Sequence, residues 1–149
     1  MKSKLVLAAR VLLGLIFFVF GLNFFLNFIP PHPMPAAAGA FAGALFASGY
    51  LFVVLKVVEV ASGLLLLAGI FVPLTLALLA PIVVNIVLFH AFLAPSGLPL
   101  ALLVLALEIF LAWSYRSAYR PMLALRVAPT EPARRLELRS SAEQTIPST

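Results

Sequence analysis

The chain has 149 residues, of which 64% are hydrophobic and only 10% charged, and it carries a formal net charge of +5. A soluble domain has about 25% charged residues, so a mean hydropathy of +1.16 excludes an ordinary soluble globule and predicts an integral membrane protein. The basic excess lies at the two ends, which suits an anionic membrane surface rather than a nucleic acid, and the absence of cysteine removes disulfides, thiolate metal sites and CxxC redox chemistry.

Lys2, Lys4 and Arg10 precede the first apolar run, whose uncharged part is residues 11–29. As a helix that part is about 28 Å long, close to the ~30 Å hydrocarbon core of a bilayer, and it predicts a first span over residues 5–29. Basic residues followed by an apolar run, with Ala36, Ala37 and Ala38 beyond, also resemble a cleavable leader. The run is longer than the roughly 7 to 15 residues of a leader core, so a retained span is predicted. Next, PPHPMP at residues 30–35 cannot continue a helix, because proline lacks the amide donor and holds its predecessor extended; an external loop is predicted.

Residues 36–72 are too long for one crossing, which needs about 20 residues. The chain is therefore expected to bend at Ser48, Gly49 and Tyr50, giving a short outer helix over 36–47 and a second span over 50–70. Gly39 and Gly43 form a GxxxG in the short helix, a spacing that permits close helix contact. Pro73 suits the first turn of a third span over 73–93, and Pro81 inside it should loosen the ladder one turn before Asn85. Pro99 opens a fourth span over 99–115. Trp113, Tyr115 and Tyr119 mark the following interface, with Arg116 and Arg120 beyond it. The expected fold class is all-α, a polytopic membrane protein built as an antiparallel bundle of four transmembrane helices with a short extra helix between spans one and two. Residues 1–128 form the expected membrane domain and 129–149 a disordered tail. Four spans place both termini on one side, and the basic ends assign that side to the cytoplasm.

Between Val11 and Tyr115 the only charged residues are Lys56, Glu59 and Glu108. A charge at the centre of a spanning helix costs about 2.5 to 3.5 kcal/mol on insertion scales, so these residues should face the bundle interior. Counted at 1.5 Å per residue from the outer end of each span, Asn23, Lys56, Glu59, Asn85, His90 and Glu108 lie about 8, 9, 13, 12, 5 and 14 Å deep. The six therefore form an expected polar layer contributed by all four spans, a candidate ligand-binding or proton-handling site. Lys56 and Glu59, in LKVVEVASG, are three apart and share a helix face with Gly63, which offers room to a neighbour. Two readings follow: the pair ties helices together, or it serves a site. Lys56 against two glutamates leaves one carboxylate over, which favours the second. His32 and His90 have no metal-ligand spacing, and no metal site is expected.

The segments RVLLGLIFFVFGLN (10–23), SGY (48–50), EVASGLLLLAG (59–69) and PIVVNIVLFH (81–90), in that order, resemble the DoxX family of small bacterial four-helix membrane proteins. The resemblance spans roughly residues 10–123 and implies that fold in the bacterial inner membrane. Many relatives carry a lysine just after the first-helix Gly-Leu-x, where this chain has Phe24, so any role of that lysine does not transfer. The resemblance further implies a redox-associated, quinone-linked membrane subunit, without an intrinsic cofactor and at most part of an oxidoreductase complex. Distant relatives point instead to a non-catalytic scaffold or assembly factor, and a small-solute or proton transporter is the third reading. Expected partners are the bilayer, an oxidoreductase or other membrane protein, and a second copy of the chain.

Overall fold

The computed structural model describes residues 2–30 and 33–123; the tail expected over 129–149 and His32 lie outside them. Among the described residues the chain is helical apart from short connections, in the order α1 (Lys2–Leu26), α2 (Ala36–Ala47), α3 (Leu51–Ala68), α4 (Val72–Phe92), α5 (Leu98–Ser114) and the single turn α6 (Arg116–Tyr119). A 3-10 turn over Pro95–Gly97 joins α4 to α5, and another over Arg120–Leu123 belongs to a separate unit of the chain. The long helices α1, α3 and α4, and α5 together with the 3-10 turn before it (Pro95–Ser114), are each long and apolar enough to cross a bilayer. They are the four predicted spans, and α2 is the predicted short helix.

Local chemistry sets where each helix stops. α1 ends three residues earlier than the expected 29, because Asn27 adopts φ 50° and the Asn23 side-chain oxygen accepts the Ile29 amide at 2.6 Å. Satisfying that amide lets the chain leave the helix before Pro30 without an orphaned donor. Between α2 and α3 the bend falls at the predicted SGY: Gly49 takes φ 78°, and the Ser48 hydroxyl accepts the Leu51 amide at 3.0 Å. α3 closes on Gly69 at φ 75°, with the Gly69 and Ile70 amides both donating to the Leu65 carbonyl, a left-handed cap of the kind glycine favours. Pro73 occupies the first turn of α4 and Pro81 its interior, so the Ala77 carbonyl loses its usual intrahelical donor.

The helices close a ring in the order α1, α3, α4, α5, with α1 against α3 and α4 against α5 as the most extensive pairs. The α1–α3 contact is backbone to backbone. A methyl group built on Gly63 would lie 2.6 Å from the Phe18 nitrogen and 2.9 Å from the Gly14 carbonyl oxygen; one on Gly21 would lie 3.2 Å from Glu59 Cβ. Small residues at these positions permit the close approach, because in lipid it is packing rather than water exclusion that holds helices together. Leu13, Leu66, Leu76, Leu79 and Leu111, all buried, fill the ring. Outward, Leu12, Phe20, Val57, Leu78, Leu88 and Ile109 are exposed on different helices. Apolar surface on every side is what a soluble monomer avoids and what hydrocarbon requires.

The α1–α3 contact makes an uneven prediction about glycine. Gly63→Ala is expected to destabilise the bundle by ~1–3 kcal/mol, the usual cost of overpacking. Gly39→Ala, whose added methyl would meet nothing within 4 Å among the described residues, is expected to be neutral or stabilising by up to about 1 kcal/mol through helix propensity. Thermal unfolding of the two variants in mild detergent checks the contrast.

Candidate functional site

A pocket of ≈ 430 Å³ opens between α2, α3 and α4, at the end of the bundle away from the start of α1. Its volume falls within the ~300–1,000 Å³ of small-molecule sites. Phe41 and Leu45 come from α2, Phe52, Lys56 and Glu59 from α3, and Pro81, Ile82, Asn85, Phe89 and His90 from α4. The walls are mainly aliphatic and aromatic, and four polar side chains punctuate them.

Lys56 Nζ donates to Glu59 Oε2 at 2.8 Å. Glu59 is 4% exposed and sits against α1 at Gly21, while the Lys56 side chain is 17% exposed. The carboxylate is thus the anchored partner and the ammonium the one facing the opening. Lys56 Nζ also lies 5.5 Å from the centre of the Phe52 ring, whose edge meets Phe24 of α1 with centroids 5.1 Å apart. An aromatic face beneath an ammonium is attractive, so the lysine head is held from two directions. An ammonium has three donor hydrogens, and Glu59 takes one.

Across the pocket, Asn85 stands one turn beyond Pro81 on an exposed face of α4. The His90 ring packs over Gly97, where a side chain would collide with it, and Nδ1 lies 3.0 Å from the Ala94 carbonyl oxygen. Because a carbonyl only accepts, this hydrogen bond requires the proton on Nδ1, and Nε2 of the neutral ring is then an acceptor. Phe41 of α2 meets Phe89 with centroids 5.8 Å apart, which holds the short helix over the pocket.

Four of the six residues expected in one polar layer therefore share the pocket: Lys56, Glu59, Asn85 and His90. Asn23 does not line it; its side chain closes α1. Glu108 does not line it either. That residue is 5% exposed on α5, and its Oε2 is buried without a hydrogen-bond partner among the described residues. Depth along a helix placed both in the layer, but the direction each side chain takes around its helix sends them elsewhere.

Sequence reasoning missed the pocket's aromatic contributors, Phe41, Phe52 and Phe89, because helices that are apolar all round carry no periodic signal of which face is inward. It also counted Arg10 among the terminal charges. The Arg10 guanidinium in fact lies against Gly69 at the end of α3, and its Nε is buried without a partner. A cation beside the last carbonyls of a helix is favourably placed against the helix dipole. At the same end, the Tyr119 hydroxyl donates to the Pro73 carbonyl at 2.9 Å. Burial, and secondarily the charge of Glu108, push this phenol above its ordinary value of 10.0.

The fold and pocket together define a class: a multi-pass α-helical membrane protein with a small polar site inside an apolar bundle. Within that class the chain belongs to the DoxX family, whose sequence profile matches residues 5–91. That span takes in nearly all of α1 and α4 and the whole of α2 and α3, and hence the polar residues of the pocket. No curated protein and no solved structure matches the chain.

Two predictions come from these contacts. Glu59→Leu alone leaves Lys56 without its carboxylate and is expected to cost up to about 3 kcal/mol, whereas Glu59→Leu combined with Lys56→Met should recover most of that loss; unfolding in detergent micelles gives the comparison. For Tyr119, a folded-state pKa above the unfolded one means the fold favours the neutral phenol. Its contribution is complete below about pH 10 and is lost as pH rises through the folded value. Tyr119→Phe should remove this alkaline loss while lowering stability at neutral pH by about 1 kcal/mol through the missing hydrogen bond; melting temperature against pH reads both effects.

Proposed function

We propose that the protein is a redox-associated subunit of the bacterial inner membrane, with both termini cytoplasmic, whose pocket receives the head of a carbonyl-bearing amphiphile of the quinone class. The observation that carries this reading is the convergence of Lys56, Glu59, Asn85 and His90 on one largely apolar pocket. Carbonyl oxygens need donors, and the Lys56 ammonium and the Asn85 amide supply them. A ring needs flat apolar walls, and Phe41, Phe52 and Phe89 supply those. A long isoprenoid tail needs an apolar exit, which the lipid-exposed surfaces around α2 and α4 offer.

A quinone, when bound, would supply two-electron carrier chemistry with proton uptake. In that arrangement this chain orients the head and handles protons. Lys56 would hold one carbonyl oxygen while staying paired with Glu59. His90, with Nδ1 tied to Ala94, presents Nε2 as a proton acceptor and, once protonated, as a donor. α2 shields the head from water. Electrons would come from a partner protein, the expected oxidoreductase.

A second reading, a non-catalytic scaffold for another membrane protein, is favoured by one observation: a side chain built on Gly39 or Gly43 of α2 would meet nothing within 4 Å among the described residues, so a face able to accept a helix closely is left open. Mass spectrometry of lipids and quinones co-purifying with the full chain in mild detergent separates the two. The expected result is a quinone enriched with the wild type and reduced at least tenfold in both Lys56→Met and Asn85→Leu. Equal lipid profiles in all three, together with a membrane protein that co-purifies and is lost on Gly39→Leu, would establish the scaffold instead.

A further inference from the structure

The second half of α5 (Leu98–Ser114) holds a buried polar group, Glu108, that the pocket does not use. We propose that Glu108 is a proton-binding site, separate from the pocket, which carries its proton in the resting protein and exchanges it with water at the face formed by Tyr119 and the α3–α4 turn.

Glu108 is 5% exposed on a helix that crosses the bilayer, and its Oε2 is buried without a hydrogen-bond partner. Among the described residues no cation stands within ion-pair distance of it; the ion pair they contain is Lys56 with Glu59. An ionised carboxylate is an acceptor on both oxygens, so a buried anion with an orphaned oxygen lacks both water and a substitute for water. Binding a proton turns the charged acceptor into a neutral hydroxyl donor, which needs only one acceptor. No redox partner is involved: an O–H bond forms on the carboxylate, and the proton comes from and returns to water.

The surroundings set where that exchange occurs. α5 packs against α1, α4 and the 3-10 turn before it. α1 contributes Arg10, whose guanidinium lies against Gly69. The titratable residue of α4 is His90, bound to Ala94 near the opposite end, and Pro95–Gly97 has none. Beyond α5 come Tyr115, Arg116 and Tyr119; Arg116 is turned to the Trp113 carbonyl and ring. Tyr119 donates to the Pro73 carbonyl, so its oxygen lone pairs remain able to accept. Arg10 at Gly69 and Tyr119 at Pro73 flank the α3–α4 turn, and in this proposal the proton of Glu108 enters and leaves along that side.

The test is infrared spectroscopy of the full chain reconstituted in lipid. At neutral pH a protonated-carboxyl C=O band that shifts in heavy water is expected in the wild type, retained in Glu59→Gln and lost in Glu108→Gln. Glu108→Gln, which imitates the neutral acid, should melt within a few degrees of the wild type. No protonated carboxyl in the wild type, or a band that survives Glu108→Gln, overturns the proposal. Should Glu108→Gln fail to insert, the Glu59→Gln protein decides, because Glu108 is then the sole carboxyl within the spanning helices; a missing band there is equally fatal. Tyr119→Phe is expected to slow the hydrogen–deuterium exchange of the band severalfold, and an unchanged rate rejects the route past Tyr119. None of these readouts depends on a ligand in the pocket.

Discussion

The backbone contact between α1 and α3 is the constraint on which the other features depend. With Gly63 pressed on Phe18 and the Gly14 carbonyl, and Gly21 facing Glu59, α3 has one rotation about its axis that lets the helices meet. That rotation turns Glu59 inward and leaves Lys56, three residues before it, at the edge where α2 and α4 approach. Further along the same helix, it brings Gly69 under the Arg10 guanidinium. Glycine at 69 is therefore required twice, by its left-handed backbone and by the space the arginine fills. Larger residues at 14, 21 and 63 would separate the helices and release the orientation of every polar group on α3.

The bundle's two ends solve the same problem of charge in hydrocarbon differently. Away from the start of α1, a lysine and a glutamate neutralise each other and are supported by aromatic rings, so the pair can face an apolar pocket with donor hydrogens to spare. Near the start of α1, opposite charges are present on α1 and α5 but do not pair, and each retains a buried unsatisfied atom. Unpaired groups in a medium that offers no water are costly to keep, and they are more informative about activity than a satisfied pair, which packing alone can account for. The pocket and Glu108 are thus separate: Glu108 does not line the pocket, and the pocket's ion pair does not reach Glu108.

α2 is the least anchored helix. Apart from Ala38 its residues are not buried, and proline-rich chain precedes it while Gly49 follows. Its link across the pocket is the Phe41–Phe89 contact. A short apolar helix that packs lightly on α3 and meets α4 through an aromatic pair can give way more cheaply than α1 and α3, locked backbone to backbone. The rigid part of the fold therefore carries the polar groups, and the yielding part covers them.

What the sequence determined by itself was the environment and the segmentation. Hydropathy identified the spans, the prolines and SGY identified the bends, and the scarcity of charge singled out Lys56, Glu59 and Glu108, because the bilayer penalises charge and unsatisfied backbone wherever they occur along the chain. Even the order of motifs that resembles the DoxX family was legible before any coordinates. Rotation about each helix axis was not, since helices apolar on every side give no periodicity to read. Tertiary structure decided that Asn23 closes a helix, that Asn85 and His90 share a pocket with the Lys56–Glu59 pair, that Arg10 lies half-buried against the end of α3 and that Glu108 stands apart. The physical reason is that these assignments depend on which faces meet, and that is settled by close packing at a few glycines rather than by the polarity of the residues concerned.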